Sequence, residues 1–462
     1  MRDASPFSRR SVLQLVGSLP LLAMKTGRVL AQSKRNWTVT GTRVPQLDGL
    51  DRAMQRAMQA ADIHAGALAV TSMGKILFER GYTWAEPNYP ITRPNSIFRV
   101  ASVGKAFTIA LAYELVQAGA LTLDTRAFPY LDLGAFARKG RSIDPRLNEI
   151  TVKHLIDMRS GLVRNAADLR DIAHTLGLHR TPTLQEVIGY MMGERLQFAP
   201  GTAELYSNFG HEVLSLVCEK AAKTDFFTAL RSHVTDRLGG EVFRDRTLKE
   251  ERLPREVFYE DSGRAPTHLA PDRDELLPVA YGGTVVVING TPGGVVTSAS
   301  TVARLAGHYA AWGYGGRKAG SSRSGSQPGS NSFVASRADR LDWCYIFNSQ
   351  QFGQGEAQVN ALGEQIDLVL DDAHIGCETT VFWDHGLKGE SWRTTRDHSG
   401  LYAGWNDQVS SIEIASGNWE FYENGEFGGK VLKLGPGRYP YLTDGWDDTI
   451  SSFRCVEGTL AR

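Results

Sequence analysis

Ser102-Val103-Gly104-Lys105 sets a hydroxyl and an amine three residues apart. On a helix that spacing brings both to one face, a turn apart. A serine hydroxyl is a weak nucleophile at its ordinary pKa, and an adjacent amine held neutral can take its proton. A helix start also aims backbone N–H groups at negative charge that develops during attack. Tyr206-Ser207-Asn208 follows the turn Phe198-Ala199-Pro200-Gly201-Thr202. It adds a phenol able to pass a proton to a leaving group and an amide able to bind a carbonyl, although such a triplet alone does no more than cap a helix. Arg323-Ser324-Gly325-Ser326 adds a cation, a hydroxyl and a glycine that lets a substrate backbone approach. It precedes a strand expected at 332–336, and the Gly320-Ser321-Ser322 before it reads equally as a flexible loop. Together these groups suggest acyl transfer through a serine ester.

A second constellation is written twice. Trp405-Asn406-Asp407-Gln408-Val409-Ser410-Ser411 recurs 41 positions later as Trp446-Asp447-Asp448-Thr449-Ile450-Ser451-Ser452. Phe382 with Leu387-Lys388-Gly389 is matched in the same way by Tyr422 with Phe427-Gly428-Gly429. Two spaced motifs repeating after 41 and 40 positions indicate two similar halves. Read alone, the Asp and Ser residues of each copy cap turns.

The elements that must position these groups follow from periodicity. Residues 67–71 and 75–78 read as a hairpin across Ser72-Met73-Gly74, and 105–117 as a helix with apolar residues three and four apart. Helices are expected near 151–158, 183–192 and 210–222, strands at 332–336 and 343–348, and a closing helix at 359–370. A hairpin first, helices in the middle, and strands with a helix last predict one α/β (α+β) domain whose sheet is built from both chain ends. Residues 249–277 read as a long irregular loop. The final segment, with five of the nine tryptophans, reads as short strands broken by glycine turns, an all-β unit.

Composition bounds the function classes. The 462 residues are 42% hydrophobic and 22% charged with a formal net charge of zero, which excludes disordered, collagen-like and coiled-coil chains and argues against a nucleic-acid partner. Ser8-Arg9-Arg10-Ser11-Val12-Leu13, the apolar run to Met24 and Val29-Leu30-Ala31 resemble a twin-arginine export signal spanning residues 1–31. A periplasmic or secreted protein with no integral membrane segment in its mature chain is therefore expected, and disulfides are permitted there. The four cysteines allow three complete pairings. Cys218 and Cys344 sit in apolar runs and read as buried thiols, whereas a Cys377–Cys455 bridge would staple the ends of the last segment. No cysteine pair has metal-ligand spacing.

In this order, the three catalytic motifs resemble the serine β-lactamase and penicillin-binding protein superfamily, and within it the class C β-lactamase, D-alanyl-D-alanine carboxypeptidase and esterase branch. Ile97-Phe98-Arg99-Val100-Ala101-Ser102, Gly119 to Asp124, Ile150 to Leu155 with Ser160-Gly161-Leu162, and Pro292-Gly293-Gly294-Val295 support the likeness. The resemblance implies a β-lactamase-like sheet flanked by helices with a helical subdomain over residues 36–372, and an active site between them. It implies Ser102 as nucleophile, Lys105 as its base or electrostatic partner and Tyr206 as proton carrier. Asn208 would bind the substrate amide, and the N–H groups of Ser102 and Ser326 would form the oxyanion hole. Arg323, Ser324 and Gly325 would line the substrate. The superfamily usually has Lys or His where this chain has Arg323, which keeps a charge for a substrate carboxylate but cannot carry protons near neutral pH.

The repeat resembles a βγ-crystallin domain, expected over 377–458. That likeness implies two calcium sites, with Asn406, Asp407 and Ser410 in one copy and Asp447, Asp448 and Ser451 in the other, and with carbonyls from Gln408 and Thr449. The expected protein is an exported serine hydrolase acting on an amide, β-lactam or ester, with a small-molecule or peptidoglycan-derived peptide substrate and no catalytic cofactor. An esterase or D-amino-acid peptidase, or a catalytically weak binder of cell-wall peptides, are the alternatives.

Overall fold

The computed structural model describes residues 35–261, 263–284, 292–352, 356–402 and 404–460. The expected export signal lies outside them. Among the described residues, no helix is long and apolar enough to cross a membrane.

Six strands form one antiparallel sheet: β1 (Asn36–Thr40), β2 (Ala65–Ser72), β3 (Lys75–Ala85), β4 (Ser322–Gln327), β5 (Ser330–Ser336) and β6 (Leu341–Phe347). Their order is β1-β3-β2-β6-β5-β4, so the two ends of the domain meet where β2 pairs with β6. The β2–β3 turn is tight because Met73 and Gly74 both take left-handed φ. Alternation divides the side chains between two faces. Leu68, Val70, Trp343 and Tyr345 pack on α1 (Asp48–Ala60) and α5 (Glu356–Asp372). Ala67, Ala69, Cys344 and Ile346 face the other core, where α2 (Gly104–Gln117), α3 (Asn208–Ala222) and α4 (Ala299–His308) lie. The alanines on β2 are what let α4 seat closely on that face.

The sequence-predicted hairpin, helices and closing helix are all present, with ends shifted by a few residues. Arg323-Ser324-Gly325-Ser326 does precede the expected strand, present as β5, but is no flexible loop: it lies inside the edge strand β4, with Arg323 and Gly325 buried and Ser324 and Ser326 exposed. Serine and glycine are poor strand formers, and pairing with β5 overrides that weakness. The 249–277 stretch is largely irregular as expected; its described residues include a 3-10 turn, Lys249–Glu251, and a short ribbon in which Arg264–Pro266 pairs with Leu276–Pro278.

The last segment is all β. One sheet holds β7 (Glu378–Asp384), β8 (Lys388–Thr394), β9 (Ser411–Ser416) and β12 (Gly437–Tyr439); the other holds β10 (Asn418–Asn424), β11 (Gly428–Leu434) and β13 (Ser452–Glu457). Trp419, Phe421, Phe453, Val381 and Ile412 fill the space between. The repeated glycine has a steric cause: a Cβ on Gly389 would lie 2.6 Å from Asp384 Oδ2, and one on Gly429 would lie 2.7 Å from the Asn424 amide. Each glycine thus lets a hairpin fold back on its own first strand. Cys377 and Cys455 are bonded across 78 residues, and Cys218 and Cys344 are free and buried.

The β unit sits against the turn ends of the six-stranded sheet. Lys75 pairs with Glu457 at 2.5 Å, Arg340 pairs with Asp397 and donates to the Cys455 carbonyl at 3.1 Å, and Gly458 abuts Ser72 so closely that a Cβ would meet its Oγ at 1.9 Å.

Candidate functional site

A short 3-10 turn, Ala101–Val103, leads from the strand Phe98–Arg99 into α2. Ala101 is held at φ 48°, a left-handed conformation that costs a residue with a Cβ of order 1 kcal/mol. The turn is pinned from behind: Ser330 Oγ donates to the Arg99 carbonyl and Ser332 Oγ to that of Val100, both from β5. The strain therefore falls on the residue before Ser102, where it fixes the serine's direction.

Lys105 Nζ lies 3.0 Å from Ser102 Oγ, and the Tyr206 hydroxyl lies 2.8 Å from the same oxygen. Ser207 caps α3 by accepting from Gly210 N at 2.8 Å, which turns Tyr206 inward and leaves Asn208 on the first turn. The capping reading and the catalytic reading of the triplet are thus compatible. Asn208 donates to Asn165 Oδ1 at 2.7 Å, which orients its amide. A Cβ on Gly325 would lie 2.5 Å from the Val100 carbonyl and 2.9 Å from Ser102 N, so only glycine lets β4 press on the serine turn. That contact brings the backbone of β4 beside the Ser102 N–H.

Electrostatics favour the proton-poor forms of the pair. Burial drives the Lys105 ammonium below its usual range, against the pull of the Tyr206 phenol. Burial pushes the Tyr206 phenol up, but the Lys105 charge, the contacts with Lys105 and Ser102 and the Arg323 charge outweigh it and the net shift is downward. A coupled pair of this kind can accept the serine proton closer to neutrality than a free tyrosine or lysine would.

Two groups that the motifs did not point to complete the cluster. His211 is wholly buried with both ring nitrogens unpartnered, and burial, with the Arg323 and Lys105 charges, drives its pKa well down. Burial raises Glu212 to about 7 against the opposing pull of Lys105, and its Oε2 is shut off from solvent without a partner. Two consecutive polar residues in the apolar stretch Phe209–Val217, one of them four positions after Asn208, are the signal the sequence offered.

Arg323, expected to meet a substrate carboxylate, is instead 3% exposed, with its guanidinium 3.9 Å over the ring of Trp312. Burial lowers its pKa to about 10. Ser324 and Ser326 are exposed on the other face of β4.

In the β unit the two Asp-Ser loops exchange partners. Ser451 Oγ donates to Asp407 Oδ1 at 3.2 Å, and Ser410 Oγ donates to Asp448 Oδ1 at 2.9 Å. Asp407 N donates to the Ile450 carbonyl and Asp448 N to that of Val409, both at 3.2 Å. Each donor group therefore draws on both copies. Asn406 donates to Asp407 Oδ2, the Gln408 amide to the Asp407 carbonyl and Thr449 to the Gly445 carbonyl, while Asp447 faces His385 at 3.1 Å. Among the described residues no three His, Cys, Asp or Glu side chains cluster as a metal site. The donors are hydroxyls, amides and carbonyls around one carboxylate on each side, a hard-oxygen set.

A six-stranded antiparallel sheet covered by helices on both faces, with a Ser-x-x-Lys turn against its edge strand, is thus joined to an all-β unit. The Beta-lactamase family profile matches residues 50–359 and the Beta/Gamma crystallin profile residues 378–456. The chain belongs to the Beta-lactamase family and carries a βγ-crystallin domain. Protein flp of Staphylococcus aureus (strain MW2) is 22% identical over 40% of this chain and 35% of its own length. A putative fimbrial assembly protein FimD, serogroup D, of Dichelobacter nodosus is 28% identical over 46% of this chain and 49% of its own. The chain thus spans half or less of these curated relatives. Among solved structures, EstCE1, a hydrolase with promiscuous acyltransferase activity, superimposes with a TM-score of 0.50 over 70% of this chain and 98% of that one at 16% identity, a likeness of fold.

Proposed function

We propose that the protein is an exported serine hydrolase that works through an ester on Ser102. The observation that carries this reading is the convergence of Lys105 Nζ and the Tyr206 hydroxyl on one serine oxygen, at 3.0 and 2.8 Å. Tyr206, kept proton-poor by Lys105, takes the proton as Oγ attacks an acyl carbon. The N–H groups of Ser102 and Ser326 receive the oxyanion, Asn208 binds the amide of a substrate that carries one, and Tyr206 returns the proton to the leaving group. Water then repeats the sequence on the ester. A carboxypeptidase-like, β-lactam-hydrolysing, esterase or D-amino-acid peptidase activity all fit this chemistry, and a weakly catalytic binder of cell-wall peptides is the reading to be tested against them. Intact mass after incubation with a penicillin, beside hydrolysis of a chromogenic short-chain ester, is the test. A covalent adduct or turnover that Ser102→Ala abolishes supports the hydrolase, and neither result in the folded wild type removes it.

In the crystallin domain we propose that calcium binds the two exchanged loops. Asp407 with Ser451, and Asp448 with Ser410, would supply side-chain oxygens, joined by nearby carbonyls and by Asn406 and Asp447. The ion's role there is to tie the two halves together.

A further inference from the structure

Arg323 carries the one charge that β4 brings toward Ser102, yet nothing outside the protein can touch it. Its three guanidinium nitrogens are shut off from solvent and make no hydrogen bond of full geometry among the described residues, and the polar group that favours their charge is the Tyr206 phenol on the inner side. The cover is Trp312, 44% exposed, whose ring lies 3.9 Å from the guanidinium carbon. This roof is built into the fold. Tyr309 and Gly316 pair as an antiparallel bridge at the base of its loop, and Ala311 N donates to Ser321 Oγ at 3.2 Å. Gly313, at φ 83°, lies so close to α2 that a Cβ would meet the Ala106 carbonyl at 2.1 Å. Tyr314 stands edge-on to Tyr113 at 5.3 Å. The aromatic face satisfies the cation from one side, and the buried charge acts inward on Tyr206, Lys105 and His211.

We propose, on the hydrolase reading above, that the site takes neutral acyl substrates, carboxylic esters or amides whose apolar part rests on Trp312, and that Trp312 determines specificity by keeping free carboxylates off Arg323. A carboxylate brought to this position would lose its hydration without gaining an ion pair, which is strongly unfavourable. An apolar group would lose only water. For an ester the first step forms the bond from Ser102 Oγ to the acyl carbon and breaks the bond to the alkoxide, which leaves as the alcohol with the serine proton. Water then releases the acid.

Arg164 is the competing cation. It is exposed, with its guanidinium carbon 5.3 Å from the Tyr206 ring, and a carboxylate held there would not depend on Trp312.

The test uses two matched pairs on the full-length protein: p-nitrophenyl methyl glutarate against p-nitrophenyl hemiglutarate, and a chromogenic cephalosporin methyl ester against its free acid. The expected wild-type preference is at least tenfold in kcat/KM for the neutral member of at least one pair. Trp312→Ala should cut that preference at least tenfold by raising the rate on the carboxylate, and adding Arg323→Met should restore it. If Trp312→Ala fails to fold by circular dichroism, Trp312→Leu opens the roof less and should move the ratio in the same direction. A wild-type preference for the carboxylates, which Arg164→Gln would then remove, a wild type that discriminates within neither pair, or a ratio unmoved by opening the roof would overturn the proposal while turnover itself stands. No turnover of any member by the wild type would instead overturn the hydrolase reading, and this inference with it.

Discussion

The cluster around Ser102 and the exchanged Asp-Ser loops of the crystallin domain treat their polar groups differently. In the crystallin domain Asp407 is met by Ser451 and Asp448 by Ser410, each hydroxyl satisfying a carboxylate from the other copy. Around Ser102, buried nitrogens and oxygens of His211, Glu212 and Arg323 make no hydrogen bond of full geometry. A repeated unit can pair with itself because its two copies supply complementary groups in the same geometry. The cluster around Ser102 is assembled once, with no second copy to supply complementary partners. The comparison teaches that polar satisfaction separates a region built for holding from one built for reacting.

The sharpest break would come from the nucleophile. Ser102→Ala should lower turnover by roughly 10^4-fold or more, and Tyr206→Phe by about 10^2- to 10^4-fold, measured as kcat/KM on an ester. The wild-type profile should rise with pH through an apparent pKa below that of free tyrosine, since the net shift on Tyr206 is downward. A limb at or above 10 would mean that the Lys105 charge does not reach the phenol.

The holding region should instead break at its staple. In the chain-entropy view, a bridge closing 78 residues stabilises by about 4 to 5 kcal/mol. Cys377→Ser with Cys455→Ser should therefore melt the β unit at a clearly lower temperature, and an unchanged melting curve would place its stability elsewhere.

Glu212 sharpens the contrast because its unsatisfied carboxyl should carry a cost. Its folded pKa of about 7 lies above the ordinary 4.5, so the native state binds the proton more tightly than the unfolded chain. Stability from this group is complete below about pH 4.5 and is lost as pH rises through 7. Glu212→Gln should remove a penalty of up to about 3 kcal/mol at pH 8 and almost none at pH 4. Denaturant titrations at the two pH values decide it, and a variant equally stable relative to wild type at both would show that Lys105 already compensates the charge.

The smallest effect expected is calcium on the loops, about 2.7 kcal/mol at a free concentration 100 times Kd. Because each donor group draws on both copies, Asp407→Asn should remove one of two bound ions in calorimetry and weaken the contact of its loop with Ser451. Loss of both ions would indicate one shared site.

The legibility of the two regions differs for a physical reason. The crystallin halves repeat at short range, so Asp407 and Asp448 were visible as donors, although the exchange between copies is a property of packing. Ser102, Lys105 and Tyr206 stood out because their chemistry needs particular side chains at fixed spacing. Strand β4 did not, because Arg323-Ser324-Gly325-Ser326 has weak strand propensity and owes its form to β5. Trp312 had no signal at all: a loop tryptophan becomes a roof only when a strand and a helix carry Arg323 beneath it. Glu212 is intermediate, a polar residue in an apolar helix whose meaning depends on α2 lying opposite.

The pairing of β2 with β6 also sets a timetable for synthesis. Thr71 and Asp342, which meet across that pair, are 271 residues apart. At roughly 5–20 residues per second, the first hairpin emerges some 15–50 s before its partner strand exists. During that interval the β2 edge, with Leu68 and Val70 on one side and its alanines on the other, has no sheet to join. A nascent chain of this protein therefore presents a bare apolar strand to the ribosome surface for much of its translation, and holdase chaperones that bind such edges should associate with chains shorter than about 340 residues and leave longer ones.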